Sequence, residues 1–263
     1  MRKLILLGLA VVLLIMPALA ADFEHREFGV RASGMGGTSV AFVDDINSLD
    51  QNIAGLAAVD KREAFVTYRD TFGLFGLNNF ALSQPLLGGG LGISMAQLAN
   101  SEEFNYKVTT WQAAYARELR GLRGGVALNY NSLDSQAGQG NLTSVNFGLQ
   151  GNLGKLAWGV AINNLVTLSG SEAARQSAPI EMKAGIALAN DQSIYALELV
   201  NGKEVRIGLE RQIIKGIALR VGLNDGTPTL GLGLKKGELW AIDYSFELGA
   251  LGSTHALGLK RCL

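Results

Sequence analysis

Residues 142–164, LTSVNFGLQGNLGKLAWGVAINN, decide the fold. In the first half, Val145, Phe147 and Leu149 alternate with Ser144, Asn146, Gly148 and Gln150. In the second, Leu156, Trp158, Val160 and Ile162 alternate with Ala157, Gly159, Ala161 and Asn163. Side chains of a strand point to opposite faces in turn, so each run has one apolar face and one polar or small face. Leu153-Gly154-Lys155 reads as the turn that folds the two into a hairpin. The second face decides the environment. On a soluble sheet it meets water and carries Lys, Glu, Thr and Arg; here Gly, Ala, Ser and Asn dominate it. Small residues suit a crowded interior, and the apolar face then suits lipid. A soluble periplasmic β protein is the other reading that alternation admits.

Working outward, the same alternation recurs in 124–131, 180–188, 204–210, 217–223, 230–234 and 240–246. Weaker runs lie near Ala64–Tyr68, Asn79–Gln84, Gly90–Leu98, Val108–Arg117, Ser193–Val200 and Thr254–Lys260. The total is fourteen strands over residues 61–263. A tilted strand needs about 9–11 residues to cross a bilayer, which leaves a short turn for each. Every second connection is short, as at Leu87–Gly89, Leu119–Leu122 and Lys236–Glu238. Between them lie longer ones, at Arg69–Leu77, Asn100–Asn105, Ser132–Asn141 and Thr167–Ala178. Short turns at one end and longer loops at the other predict an all-β fold, a transmembrane antiparallel β-barrel of the outer-membrane type. Phe147, Leu149, Trp158, Val160, Leu219 and Val221 are expected to face lipid, and Asn146, Gln150, Gly159 and Arg220 the lumen.

Composition agrees. Of 263 residues, 48% are hydrophobic and only 17% charged, against roughly 25% charged in soluble domains. The 23 basic and 23 acidic residues cancel, which removes the electrostatic footprint of a nucleic-acid binder. Residues 1–20 read as a signal peptide: basic Arg2 and Lys3, an apolar run from Leu4 to Met16, and Ala18-Leu19-Ala20 before the cleavage site. Export to the outer membrane follows, with lipid as the surrounding partner. Cys262 is the sole cysteine, so an intrachain disulfide and a cysteine metal cluster are both excluded.

One stretch departs from the alternation. Gly29–Leu56, GVRASGMGGTSVAFVDDINSLDQNIAGL, carries Gly29, Gly34, Gly36 and Gly37 in nine residues, then Asp44-Asp45, then Asn52-Ile53-Ala54-Gly55-Leu56. Glycine at this density lets backbone pack on backbone and supplies positive φ. The stretch reads as a compact segment, residues 21–60, enclosed by the strands; a flexible glycine-rich leader is the alternative. Two short helical turns are expected, around Thr38–Phe42 and Asp45–Asp50. The Asp44-Asp45 pair is assigned to capping the second of these, or to pairing with Arg31. On the strands, Glu181, Lys183, Arg206, Glu210, Arg220 and Asp243 fall on the inward face. They pair with one another, with the aspartates or with Arg31, or else form a selectivity ring along a permeation path.

These residues resemble a known family. Arg31-Ala-Ser-Gly34-Met35-Gly36-Gly37, Asp44-Asp45 and Asn52-x-Ala54-Gly55-Leu56 look like the N-terminal signature of the PorV/PorQ-like outer-membrane proteins. These are relatives of the long-chain fatty acid transporter FadL. Gly208-Leu-Glu210, Leu219-Arg220-Val-Gly222 and Ile242-Asp243-Tyr244 stand in the family's order. The resemblance implies fourteen strands with an N-terminal hatch in the lumen. It implies either passage of small hydrophobic or amphipathic compounds, or a non-transporting barrel that docks secretion or envelope proteins. Two departures stand out: Ile53 occupies the place of the family's proline, and the chain ends Lys260-Arg261-Cys262-Leu263 rather than on an aromatic.

Chemistry finds little purchase, and the chain reads as no enzyme, with no cofactor. His25 and His255 are the only histidines. Ser253 and His255, at i and i+2 on one strand, are expected to share a face without hydrogen bonding to each other. Asp44-Asp45 lacks the spacing of a Ca²⁺ loop, and Gly34-x-Gly36-Gly37 lacks the strand and Gly-Lys-Ser/Thr of a phosphate loop.

Overall fold

In a computed structural model, residues 27–100, 106–135, 138–170, 178–249 and 252–263 are described. The proposed signal peptide and residues 21–26 lie outside them, as does much of the Asn100–Asn105 and Thr167–Ala178 connections.

Fourteen strands follow one another in chain order: β1 (Glu63–Thr71), β2 (Phe75–Leu86), β3 (Gly89–Asn100), β4 (Lys107–Leu119), β5 (Leu122–Ser135), β6 (Gly138–Leu153), β7 (Leu156–Gly170), β8 (Glu181–Ala189), β9 (Ser193–Val200), β10 (Glu204–Ile214), β11 (Ile217–Asn224), β12 (Thr227–Lys236), β13 (Trp240–Gly249) and β14 (Gly252–Cys262). Each pairs antiparallel with the next, and β1 closes on β14, pairing Glu63 with Cys262 and Thr71 with Thr254. Closure leaves no edge strand, although β7 runs past β8, whose pairing with it stops at Asn163 and Glu181.

Alternation sorts the side chains as the sequence predicts. Phe80, Ile93, Leu128, Leu197, Leu219 and Val221 are exposed on the outside. Ser144, Asn146, Gln150 and Arg220 are buried on the inside, and Gly159 meets Val40 there. The barrel is uneven in height. Strands β2 to β7 run 12 to 16 residues, whereas β8 and β9 have 9 and 8. The Ser132–Asn141 stretch, expected as a long loop, is mostly strand, because β5 runs on to Ser135 and β6 starts at Gly138. Its polar residues continue the hairpin past the apolar belt, and polarity alone gave no sign of that.

On the same tall side, β7 carries an irregularity. Val145 pairs with Val166 but Phe147 with Ile162, so β7 spends two extra residues there, and Asn164 takes a left-handed φ of 55°. Bulges of this kind re-aim side chains. Asn164 here receives Ser144 Oγ on its side-chain oxygen at 2.8 Å and donates its own N–H to Asn146 at 2.9 Å.

Residues 27–59 lie within the ring of strands. They contain two single-turn helices, α1 (Val30–Ser33) and α2 (Ser48–Gln51), and a 3-10 helix (Ile53–Ala58). At the short turn expected around Thr38–Phe42, Phe42 and Val43 both donate to the Ser39 carbonyl. The one expected at Asp45–Asp50 contracts to α2, since Asp45 acts as the turn's acceptor ahead of it. Helices this short are not stable alone, so wall contacts hold them.

Candidate functional site

Inside the barrel the N-terminal segment meets two unlike halves of the wall. Toward β8–β14 and β1 the contacts are ionic. Arg31 grips Glu210 through Nε and Nη2 at 2.9 and 2.7 Å, and Glu210 in turn receives Arg220 Nε at 2.6 Å. Arg220 also reaches Asp243 at 2.7 Å, so these four residues form one chain of charge. A second cluster centres on Glu27, whose Oε1 takes Lys183 Nζ at 2.6 Å and Arg206 Nη1 at 2.8 Å. Glu181 lies 3.5 Å from Lys183, and Glu198 accepts the backbone N–H groups of Ser39 and Val40 at 3.1 Å each. In the third cluster Lys260 bridges Asp45 at 2.7 Å and Glu63 at 3.2 Å, while Glu63 accepts the Ile46 N–H. Buried charges persist only when paired and hydrogen-bonded in this way.

Glu181, Lys183, Arg206, Glu210, Arg220 and Asp243 take part in the first two of these clusters. Of the two roles expected of the aspartates, Asp45 takes the local one at the second turn and not the pairing with Arg31. Asp45 pairs with neither Arg31, Arg220 nor Glu210 but with Lys260, and its other oxygen accepts from Asn47 at the start of the α2 turn. Asp44 makes no such anchor and is exposed. Burial works to raise the Asp45 carboxyl, yet the neighbouring Lys260 ammonium outweighs it and holds the group down at about 2. Asp50 behaves oppositely. Its oxygens accept from Phe28 and Gly29 N–H at 3.1 and 2.9 Å and from Gln51, but burial and then the Glu27 carboxylate push it up to about 6.

Sequence reasoning missed Glu27, Glu63, Asp50, Arg69 and Lys260. Glu63 and Lys260 were legible in principle, because they share inward parity with Phe65 and Gly258. Arg69 donates to the Glu27 carbonyl and Ser33 Oγ and lies 3.6 Å from Glu247.

The glycines explain how segment and wall fit. A Cβ on Gly34 would fall 2.8 Å from Gly231 Cα, one on Gly37 2.8 Å from the Arg206 guanidinium, and one on Gly29 2.9 Å from Asp50. Gly36 is the most crowded of the four glycines at 29, 34, 36 and 37. At φ 69° it donates to Thr229 Oγ1 at 2.8 Å, and an added Cβ would meet the carbonyl oxygens of both Leu223 and Ile207. Wall glycines at 90, 125, 148, 159, 208 and 222 likewise leave room for the segment's backbone. Here backbone approaches backbone where no side chain fits.

Asn52-Ile53-Ala54-Gly55 sits on the other half. Asn52 donates to the carbonyls of Val40 and Leu149 at 2.8 and 3.0 Å and accepts the Ala54 N–H, capping the 3-10 helix. Ala54 is fully buried, and a Cβ on Gly55 would strike the Val43 carbonyl. Gln150 adds hydrogen bonds to Val40 and Val43 carbonyls.

This second half, β2 to β7, is uncharged. Apart from the Glu118–Arg123 pair at the short-turn rim, its described inward positions hold no ionisable side chain. They form rows in register. Toward the longer loops, Leu77 faces Leu98, Leu98 faces Val108, and Val108 faces Leu133, an apolar row across four strands. The next row is Asn79, Ala96, Thr110 and Asn131, and the one below is Ala81, Ser94, Gln112, Asn129 and Ser144. Phe75 and Tyr106 pack edge to face at 6.3 Å beside the apolar row, in one cluster with Phe28 of the N-terminal segment. The off-phase Leu98, in a strand whose other inward residues are Gly, Ser, Ala and Asn, was the signal for this row.

Ser253 and His255 correct another expectation. Ser253 Oγ lies 3.2 Å from His255 Nε2, and Tyr244 Oη lies 2.7 Å from Nδ1. The imidazole leans along the strand far enough to span the i to i+2 separation. The trio is on the outer surface, beside Phe246, and takes no part in the lumen.

Among the described residues no group of three or more His, Cys, Asp or Glu side chains is placed to hold a metal ion. No protein-family model and no curated protein sequence matches the chain. Its fold does match solved structures. The toluene transporter TbuX of Ralstonia pickettii superimposes with a TM-score of 0.66 at 12% identity, over 92% of this chain and all of that one. The toluene transporter TodX of P. putida gives 0.67 at 11% identity, over 91% and 99%. CymD, a monoaromatic hydrocarbon channel, gives 0.61 at 13% identity, over 92% and 99%.

Proposed function

We propose that this chain is a FadL-like outer-membrane barrel that passes small hydrophobic or amphipathic compounds, with residues 21–60 as its hatch. The observation that carries the reading is the division of the lumen. The hatch is fastened by ions to β8–β14 and β1, while β2–β7 offer it an uncharged wall topped by the Leu77–Leu98–Val108–Leu133 row. Sites for apolar ligands are lined in this manner, by apolar side chains with a few polar groups among them. The exposed apolar outer face fits lipid, and the first twenty residues fit an export signal. The shared fold with toluene transporters and a hydrocarbon channel supports conduction rather than catalysis. The finer likeness to PorV/PorQ rests on the N-terminal motif.

The rival reading, a barrel that docks secretion or envelope proteins, draws on the three ion clusters that restrain the hatch. Proteoliposomes separate the two. Uptake of labelled toluene or a labelled long-chain fatty acid well above protein-free vesicles is expected. Uptake equal to the blank for both would retire transport of these compounds and favour docking.

A further inference from the structure

The amide–hydroxyl row beneath the apolar one contains an anomaly. Asn79 is 5% exposed, and neither its Oδ1 nor its Nδ2 has a hydrogen-bond partner among the described residues. Thr67, directly opposite it in the β1–β2 ladder and equally buried, leaves its Oγ1 unpartnered as well. Buried side-chain polar atoms are nearly always satisfied, so two adjacent residues with three open groups call for an explanation. Their surroundings supply one. Leu77 precedes Asn79 by one inward position, and Leu98 and Val108 continue that row on the neighbouring strands. A hydrogen-bonding pair therefore stands at the foot of an apolar surface.

Resting on the transport reading above, we infer that this place binds an uncharged ligand with an apolar body and a hydrogen-bonding head, a phenol or alcohol. Asn79 and Thr67 take the head, and Leu77, Leu98 and Val108 take the body. An amide offers two donors and an acceptor, and a threonine hydroxyl offers one of each, which matches a hydroxyl that both donates and accepts. A plain hydrocarbon leaves the three groups open. A carboxylate accepts only, and it would need a cation. The nearest along β1, Arg69, is already engaged by the Glu27 carbonyl, Ser33 and Glu247. The groups are buried in this structure, next to Leu77 and Leu98 of the apolar cluster that the N-terminal segment shares, so entry requires that packing to open.

The test uses the full mature barrel, with p-cresol, toluene and p-toluate as probes. Binding is measured by equilibrium dialysis in detergent, and flux separately in proteoliposomes. A site built to hydrogen-bond rejects a ligand lacking the group, so p-cresol should bind about tenfold more tightly than toluene. Asn79→Leu and, independently, Thr67→Val should each shrink that preference at least threefold without weakening toluene, with heat-modifiable migration confirming that both variants fold. Wild-type binding that does not distinguish p-cresol from toluene overturns the inference, even where flux upholds transport. So does tighter binding of p-toluate, or a preference unchanged in both variants. Preferential p-cresol binding that both variants erase, without flux of any probe, keeps the binding site and retires transport.

Discussion

Replacing Gly36 by alanine tests the enclosure of the hatch at a point where it lies against two wall carbonyls. The residue has φ 69°, and the new Cβ would sit 2.5 Å from the Leu223 oxygen and 2.7 Å from that of Ile207. Both carbonyls belong to wall strands, where Ile207 and Leu223 are paired across β10 and β11, so the wall cannot yield without breaking its ladder. The left-handed conformation costs an alanine about 1–2 kcal/mol. The overlap adds about 1–3 kcal/mol, the usual penalty for inserting a methyl into a packed site. Docking of the hatch should weaken by roughly 3 kcal/mol, on the order of a hundredfold in the open population. Gly237→Ala is the control, because that glycine also has a positive φ but no atom within 4 Å of an added Cβ. The assay is the labelling rate of Ser39→Cys, buried under the Glu198 carboxylate, in a Cys262→Ser background. Gly36→Ala should accelerate labelling about a hundredfold and Gly237→Ala not at all. Labelling of Gly36→Ala at the parental rate would refute the close approach.

Three further outcomes follow from the same geometry. Asp50 sits near 6 when docked, above its ordinary 3.8, so the docked hatch holds a proton that the released one gives up. The Asp50 contribution to docking should be fully present below pH 3.8 and be lost as pH rises through 6, opposite in sign to that of Asp45, which is lost as pH falls from 3.8 through about 2; Asp50→Asn should remove the former from the labelling rate. A double-mutant cycle of Arg31→Gln with Glu210→Gln should return a coupling of about 1.5–3 kcal/mol in hatch docking, and a value near zero would mean the bidentate pair does not form. Leu219→Arg, placed on the exposed outer face, should destabilise the refolded barrel in bilayers by about 2–4 kcal/mol, whereas an unchanged urea midpoint would mean that this face does not meet lipid.

Much of this architecture was legible because a strand reveals its two faces locally. Val145, Phe147 and Leu149 against Asn146, Gly148 and Gln150 needed no tertiary information, and fourteen such runs with alternating short turns sufficed for closure. Partners distant along the chain were another matter. Lys260 belongs to Asp45 and Glu63, and Glu27 to Lys183 and Arg206, across separations of 156 to 215 residues, which no local pattern encodes. Asn164 in left-handed conformation inside β7 was invisible for a related reason, since its side chain is stabilised by Ser144 on the neighbouring strand. The glycines gave a middle case. Their crowding at 34, 36 and 37 signalled close packing, but the matching glycines of the wall read merely as small inward residues until the backbone of the hatch was seen against them.

The central claim is that small hydrophobic compounds pass the hatch along its uncharged side. Flux of labelled toluene into proteoliposomes, compared among wild type, Thr110→Trp and Ile93→Trp, tests it most directly. Thr110 lies on the inner face of β4 in the amide–hydroxyl row, and Ile93 on the outer face of β3. The account predicts flux in wild type and Ile93→Trp and its loss in Thr110→Trp, with all three barrels folded by heat-modifiable migration. Flux that is absent from wild type, or undiminished with tryptophan at position 110, would contradict it.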